Sequence, residues 1–317
     1  MIKMLLVWLC GGMWFLSNLV LRPKKLSCDR IYRMELRRGN FDEAAYKGSK
    51  RQELMISSDY GYSLSCEIIE PETNYIYYKK SNEQTENEAV NETFIPVAIL
   101  CHGFSQGKYR SLIYAEIFLK LGFRVIIYDH RNHGLSGKAF TSMGYYEKYD
   151  LKKLVDWSYD TYGPNCKIVT HGVSMGAATA LLHLGIDKRV VCTIADCSYS
   201  DLKELLKHQV KYYYHMPRLL IPLESFITQI RAGFWYGDVS PISVIKRVDT
   251  PVLFIHGKRD KYVPTEMTRK MYKSKRNNKA LYLVARAAHA QSCETNKEGY
   301  EKRVRAFVRK YMEKHLP

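Results

Sequence analysis

The sequence predicts an α/β fold, with a mainly parallel central sheet flanked by helices and a helical insertion over one end. Three observations carry this. Short, continuous apolar runs recur between residues 95 and 285, as expected of strands buried on both faces. Stretches with apolar residues at helical spacing separate them, and strands alternating with helices imply parallel pairing. One interval, 198–242, interrupts the alternation with two helical stretches and no strand. The 317 residues are 46% hydrophobic, enough for a large core, and 19 Gly and 10 Pro exclude collagenous and wholly disordered classes.

The elements follow in order. Residues 4–21 carry no charge and, as a helix, reach about 27 Å, close to the thickness of a bilayer's hydrocarbon core. They are read as a transmembrane anchor within 1–25. A cleaved signal peptide and a buried helix are the rival readings, although no small-x-small cleavage site stands out. Lys3 precedes the run, whereas Arg22, Lys24, Lys25, Arg30, Arg33, Arg37 and Arg38 follow it. The positive-inside bias then leaves the body in the cytoplasm, with a basic juxtamembrane segment over 26–49; signal cleavage would instead make it secreted.

The body spans 50–317. Residues 52–70 read as two strands around an Asp59–Gly61 turn, and the polar stretch 79–93 as an exposed loop. Buried strands are expected at 95–101, 123–129, 166–171, 189–196, 251–257 and 279–285. Helices are expected at 112–121, 146–160 and 175–184, the first ended by Gly122 and the third by Gly185. A last amphipathic helix near 297–314 would face inward through Tyr300, Val304, Phe307, Val308 and Tyr311. The 198–242 insertion is rich in aromatics, among them Tyr212, Tyr213, Tyr214, Phe226, Phe234, Trp235 and Tyr236. It is expected to form a lid over the active face; the alternative is a helical pair that only covers the sheet edge.

The eight cysteines include no C-x-x-C pair, which removes support for zinc-ribbon and thioredoxin chemistry and favours reduced thiols. Lys and Arg number 49 against 32 Asp and Glu, a net charge of +17 that admits an anionic partner. Basic residues are interspersed with acids, as at Arg303, Arg305, Arg309 and Lys310, and no nucleic-acid-binding motif occurs. The charge is therefore read as a solvated face attracted to membrane surfaces.

Gly172-Val173-Ser174-Met175-Gly176 matches G-x-S-x-G. The pentapeptide alone is weak, but an apolar strand precedes it and a small-residue helix follows, the context a nucleophile elbow needs. Small flanking residues let strand and helix approach closely while the hydroxyl is presented above the sheet. The competing reading has Ser174 merely capping the helix.

With this elbow the chain resembles α/β-hydrolases, in the branch of serine-aminopeptidase, monoacylglycerol-lipase and acyl-esterase-like proteins, including membrane-anchored bacterial members. The resemblance covers roughly 50–315 and extends through ILCHGF (99–104), YDHRNHGLS (128–136), FIHGKRDKYVP (254–264) and AAHAQS (287–292). It implies a Ser174–Asp260–His289 triad, since this fold orders nucleophile, acid and base that way. Asp196, at the end of the strand after the elbow helix, is the rival acid. The resemblance also implies an oxyanion hole from the backbone N–H groups of Phe104 and Met175, whose side chains are free to line an acyl pocket. His102 stands in the wrong order to be the base, and Asp129, His130 and His133 are expected to buttress the site. No cofactor or metal is implied.

The expected activity is hydrolysis of acyl esters or thioesters through a Ser174 acyl-enzyme, with a small-molecule acyl substrate and the membrane as partners. Two alternatives remain. One is a peptidase of the same fold, for which the lid offers Asp201, Glu204 and Glu224 as acidic groups. The other is a catalytically silent, membrane-tethered binding protein. The sequence carries no signal for oligomeric state.

Overall fold

The computed structural model describes residues 12, 14–72 and 94–313. Eight strands form one sheet: β1 (Arg51–Ser57), β2 (Ser63–Ile69), β3 (Ile95–Cys101), β4 (Arg124–Tyr128), β5 (Cys166–Val173), β6 (Val190–Asp196), β7 (Val252–Gly257) and β8 (Lys279–Val284). Their order is β1-β2-β4-β3-β5-β6-β7-β8. The two pairings that involve β2 are antiparallel and all others are parallel. The expected strands are present. The two expected around Asp59–Gly61 form the antiparallel edge.

Alternation along the central strands divides the core between the two faces. Ala98 and Leu100 of β3, with Val125 and Ile127 of β4, pack beneath helices Leu112–Leu119 and Lys297–Met312. Val97, Ile99 and Cys101, with Ile126 and Tyr128, face helices Glu147–Tyr162 and Met175–His183. Burial on both faces explains the unbroken apolar runs. β8 lies at the other edge, and five of its six residues are only partly buried. The last helix buries Tyr300, Val304, Phe307, Val308 and Tyr311, the inward set its spacing predicts.

A third apolar cluster lies over the carboxyl ends of the strands. It joins Met143, Met175 and Tyr199 to Leu202 and Leu205 of helix Leu202–Tyr212 and to Ile221 of helix Leu220–Ala232. These two helices are the stretches expected in the insertion. Phe234 and Tyr236 are buried there, whereas Tyr212, Tyr213, Tyr214, Phe226 and Trp235 stay exposed.

The described N-terminal residues pack on the body. Residues 14–21 are helical, and Leu21 is fully buried in the third cluster. Arg231 of the insertion donates hydrogen bonds to the Trp14 carbonyl, Ser17 Oγ and Asn18 Oδ1, and its guanidinium lies 4.0 Å from the Trp14 ring centroid. Among the described residues no helix is long and apolar enough to cross a membrane. Residues 4–11 and 13 of the expected anchor lie outside the described residues, as does the expected loop at 79–93.

Two helices occupy the basic segment, Cys28–Arg37 and Glu43–Gly48. Ser27 and Asp42 cap them by accepting from the Arg30 and Ala45 amides. Glu35 of the first helix is fully buried and pairs with Arg110, which also reaches Glu294 at 2.8 Å. The seven described cysteines are free thiols, and all but Cys28 are buried.

Candidate active site

Ser174 sits at the turn between β5 and helix Met175–His183, with φ 56° and ψ −115°, a strained conformation for a residue with a side chain. The flanking glycines make the turn possible. A Cβ on Gly176 would stand 2.1 Å from the Cys101 carbonyl oxygen, and one on Gly172 would stand 2.3 Å from the Gly176 carbonyl oxygen. The Ser174 amide donates to the Asp196 carbonyl at 2.8 Å, which ties the turn to β6. The Ser174 side chain makes no capping hydrogen bond to the helix that follows.

The residues implied by the family pattern meet here. His289 Nε2 is 2.9 Å from Ser174 Oγ, and His289 Nδ1 is 2.7 Å from Asp260 Oδ2. A proton on Nδ1 donated to the carboxylate leaves Nε2 to accept the serine proton. Asp260 Oδ1 accepts from the Tyr262 and Val263 amides, both at 2.9 Å. Its carboxyl experiences opposing influences. Burial pushes the pKa up, but hydrogen bonds from His256 and His289 prevail and hold it down at about 2. Asp196, the rival acid, is fully buried and accepts from Ser292 Oγ at 2.9 Å; burial lifts its pKa above the ordinary carboxylate value, against that hydrogen bond.

His256 is the functional neighbour that sequence reasoning missed. Its Nε2 lies 3.1 Å from Asp260 Oδ2 and 2.9 Å from the Val263 carbonyl oxygen, which only accepts, so Nε2 carries a proton. Thr268 Oγ1 lies 2.7 Å from Nδ1. His256 was visible in the acid-loop motif, but only the folded loop turns it back on Asp260.

Beside the serine, the Gly103 Cβ position would be 3.6 Å from Ser174 Cβ. Among the described residues neither the Phe104 nor the Met175 amide donates to a backbone carbonyl, leaving both donors available. The Phe104 side chain lines the cavity above Ser174, while Met175 is fully buried in the third cluster. The polar turn braces this loop. His133 Nε2 accepts from the Ser105 amide at 3.2 Å, Asp129 Oδ1 from the Lys108 amide at 2.8 Å, and His102 Nε2 from the His130 amide at 2.9 Å. His102 is buried, and this burial lowers its pKa to about 4.

A cavity of about 120 Å³ opens onto Ser174. Its walls come from both insertion helices, through residues such as Leu205, Val210 and Ile221, and from Leu16, Leu19 and Val20 of the N-terminal helix. Both insertion helices thus contribute walls to the cavity at the serine. Cys197, Asp260 and His289 offer ligand atoms within 4.8 Å of one another, the one group among the described residues with that geometry. The Asp260–His289 hydrogen bond already engages two of its three members.

The comparisons agree with this architecture. Residues 96–224 match the family model for the alpha/beta hydrolase fold. The uncharacterized protein YqkD of Bacillus subtilis is 34% identical over 299 residues, covering 92% of this chain and 90% of that protein. The putative esterase YitV of the same organism is 24% identical and covers 56% of this chain and 73% of its own length. Among solved structures, the Pyrococcus furiosus esterase Pf2001 superposes with a TM-score of 0.65 at 23% identity, across 86% of this chain and 97% of that one.

Proposed function

Because the chain belongs to the α/β-hydrolase superfamily, we propose that it cleaves acyl esters or thioesters through a covalent intermediate on Ser174. The observation that carries this reading is the continuous hydrogen-bonded chain from Ser174 Oγ through His289 to Asp260, at 2.9 and 2.7 Å. His289 Nε2 takes the hydroxyl proton as Oγ attacks the carbonyl carbon. Asp260 holds the imidazole tautomer and stabilises the imidazolium. The Phe104 and Met175 amides donate to the oxyanion, a contribution typically worth about 3 kcal/mol. Collapse breaks the bond to the leaving group, which takes the proton from His289. Water, activated by the same imidazole, then releases the acid and restores Ser174.

The apolar lid and N-terminal walls favour an apolar acyl group over a peptide. We further propose that the uncharged 4–21 stretch and its basic flank bring this cavity to a membrane surface. Trp14, Phe15 and Leu19 are exposed on the described part of that stretch, and Leu219, Leu223 and Phe226 are exposed on the lid. Activity of the purified chain is to be measured across p-nitrophenyl esters of rising chain length, acyl-CoAs and aminoacyl amides. Turnover of esters or thioesters, lost in Ser174→Ala, is expected. Turnover of amides alone supports the peptidase, and inertness towards every class supports the silent binding protein.

A further inference from the structure

Glu224 is out of keeping with its surroundings. It lies in lid helix Leu220–Ala232, on the face that also buries Ile221 and Thr228, and it is only 5% exposed. It lines the same cavity as Ser174, among Leu205, Val210 and Leu220. Both carboxylate oxygens are buried, and among the described residues neither has a hydrogen-bond partner. Arg231 acts on it only as a charge at a distance, because its guanidinium is engaged by Trp14, Ser17 and Asn18. Burial is the larger influence and raises the Glu224 pKa to about 7. A leucine here would fill an apolar wall without this cost, and a buried carboxylate without a partner calls for an explanation.

We propose that Glu224 is a specificity-determining residue that accepts a hydrogen bond from a hydroxyl or ammonium group of the substrate, held in the cavity while the ester sits at Ser174. The proposal rests on the serine-hydrolase reading above and narrows its substrate class. The favoured substrate is an otherwise apolar ester that carries one hydrogen-bond donor remote from the scissile bond. An analogue without the donor leaves the buried carboxylate unpaired, whereas a donor-bearing substrate satisfies it, so the site discriminates between the two.

The test uses matched esters. On the acyl side, p-nitrophenyl hexanoate is compared with its terminally hydroxylated and aminated analogues. On the alcohol side, propyl octanoate is compared with glyceryl octanoate. Wild type is expected to favour a donor-bearing member in one arm by roughly 10-fold or more in kcat/KM, and the arm in which this occurs identifies where the donor is carried. Glu224→Leu is expected to erase or reverse that ratio while raising the melting temperature. Glu224→Gln keeps an acceptor and is expected to retain a preference for hydroxyl but not for ammonium. A wild type indifferent to donors in both arms, or a preference that survives in Glu224→Leu, overturns the proposal. Wild type is treated in parallel with a fluorophosphonate. No label at Ser174 overturns the hydrolase reading and this proposal together, whereas label without donor preference overturns this proposal alone.

Discussion

At the residue scale, the acid at the site is held by more than its histidine partner. Asp260 receives two backbone amides and two imidazoles, and its carboxyl titrates at about 2 rather than near 3.8. The folded value lies below the unfolded one, so its contribution to stability is complete above about pH 4 and is lost as the pH falls toward 2. Urea unfolding from pH 5 to 2 should show this acid limb in wild type and a flatter one in Asp260→Asn. The same variant is expected to keep its fold and lose roughly 10³–10⁴-fold in kcat on any ester turned over. His256 acts through Asp260, so His256→Phe is expected to lower kcat by about 10-fold with KM little changed. An equal rise in KM would mark a loss of structure instead. Ser174, Asp260 and His289 were legible because each follows a strand in a recognisable motif. The bond from His256 and the isolation of Glu224 were not, since both depend on how loops and lid close over the sheet.

At the element scale, the elbow depends on backbone proximity. Gly176→Ala places a Cβ against the Cys101 carbonyl, which has no flexible end to yield. It is expected to cost more than about 3 kcal/mol, readable as a large fall in melting temperature or loss of soluble protein. The N-terminal helix teaches the converse lesson. Hydropathy does not distinguish lipid from a protein cavity, and Leu16, Leu19 and Val20 line the cavity above Ser174. Arg231 of the lid donates hydrogen bonds to Trp14, Ser17 and Asn18 of this helix. Arg231→Ala is expected to raise amide exchange across 14–21 and leave the central strands protected; unchanged exchange there would mean that apolar packing alone holds the helix.

At the scale of the whole molecule, the alternating strand and helix pattern made the sheet legible from sequence, down to the inward face of the last helix. The docking of 28–48 was not legible, because it turns on the buried Glu35–Arg110 pair between residues 75 positions apart. Arg110→Ala leaves Glu35 only Asn40, at 2.6 Å, and the half-exposed Arg38, at 3.4 Å, as partners, and is expected to destabilise the chain by about 1–3 kcal/mol in urea unfolding. The net charge of +17 is expected to give binding to anionic liposomes that weakens as salt rises. The hydrolytic chemistry itself is tested most directly by treating the intact chain with a fluorophosphonate and locating the adduct by peptide mass spectrometry. One adduct per chain, on Ser174, formed slowly in His289→Ala and absent in Ser174→Ala, is the expected result. An unmodified Ser174 in the folded wild-type chain would contradict the proposed nucleophile.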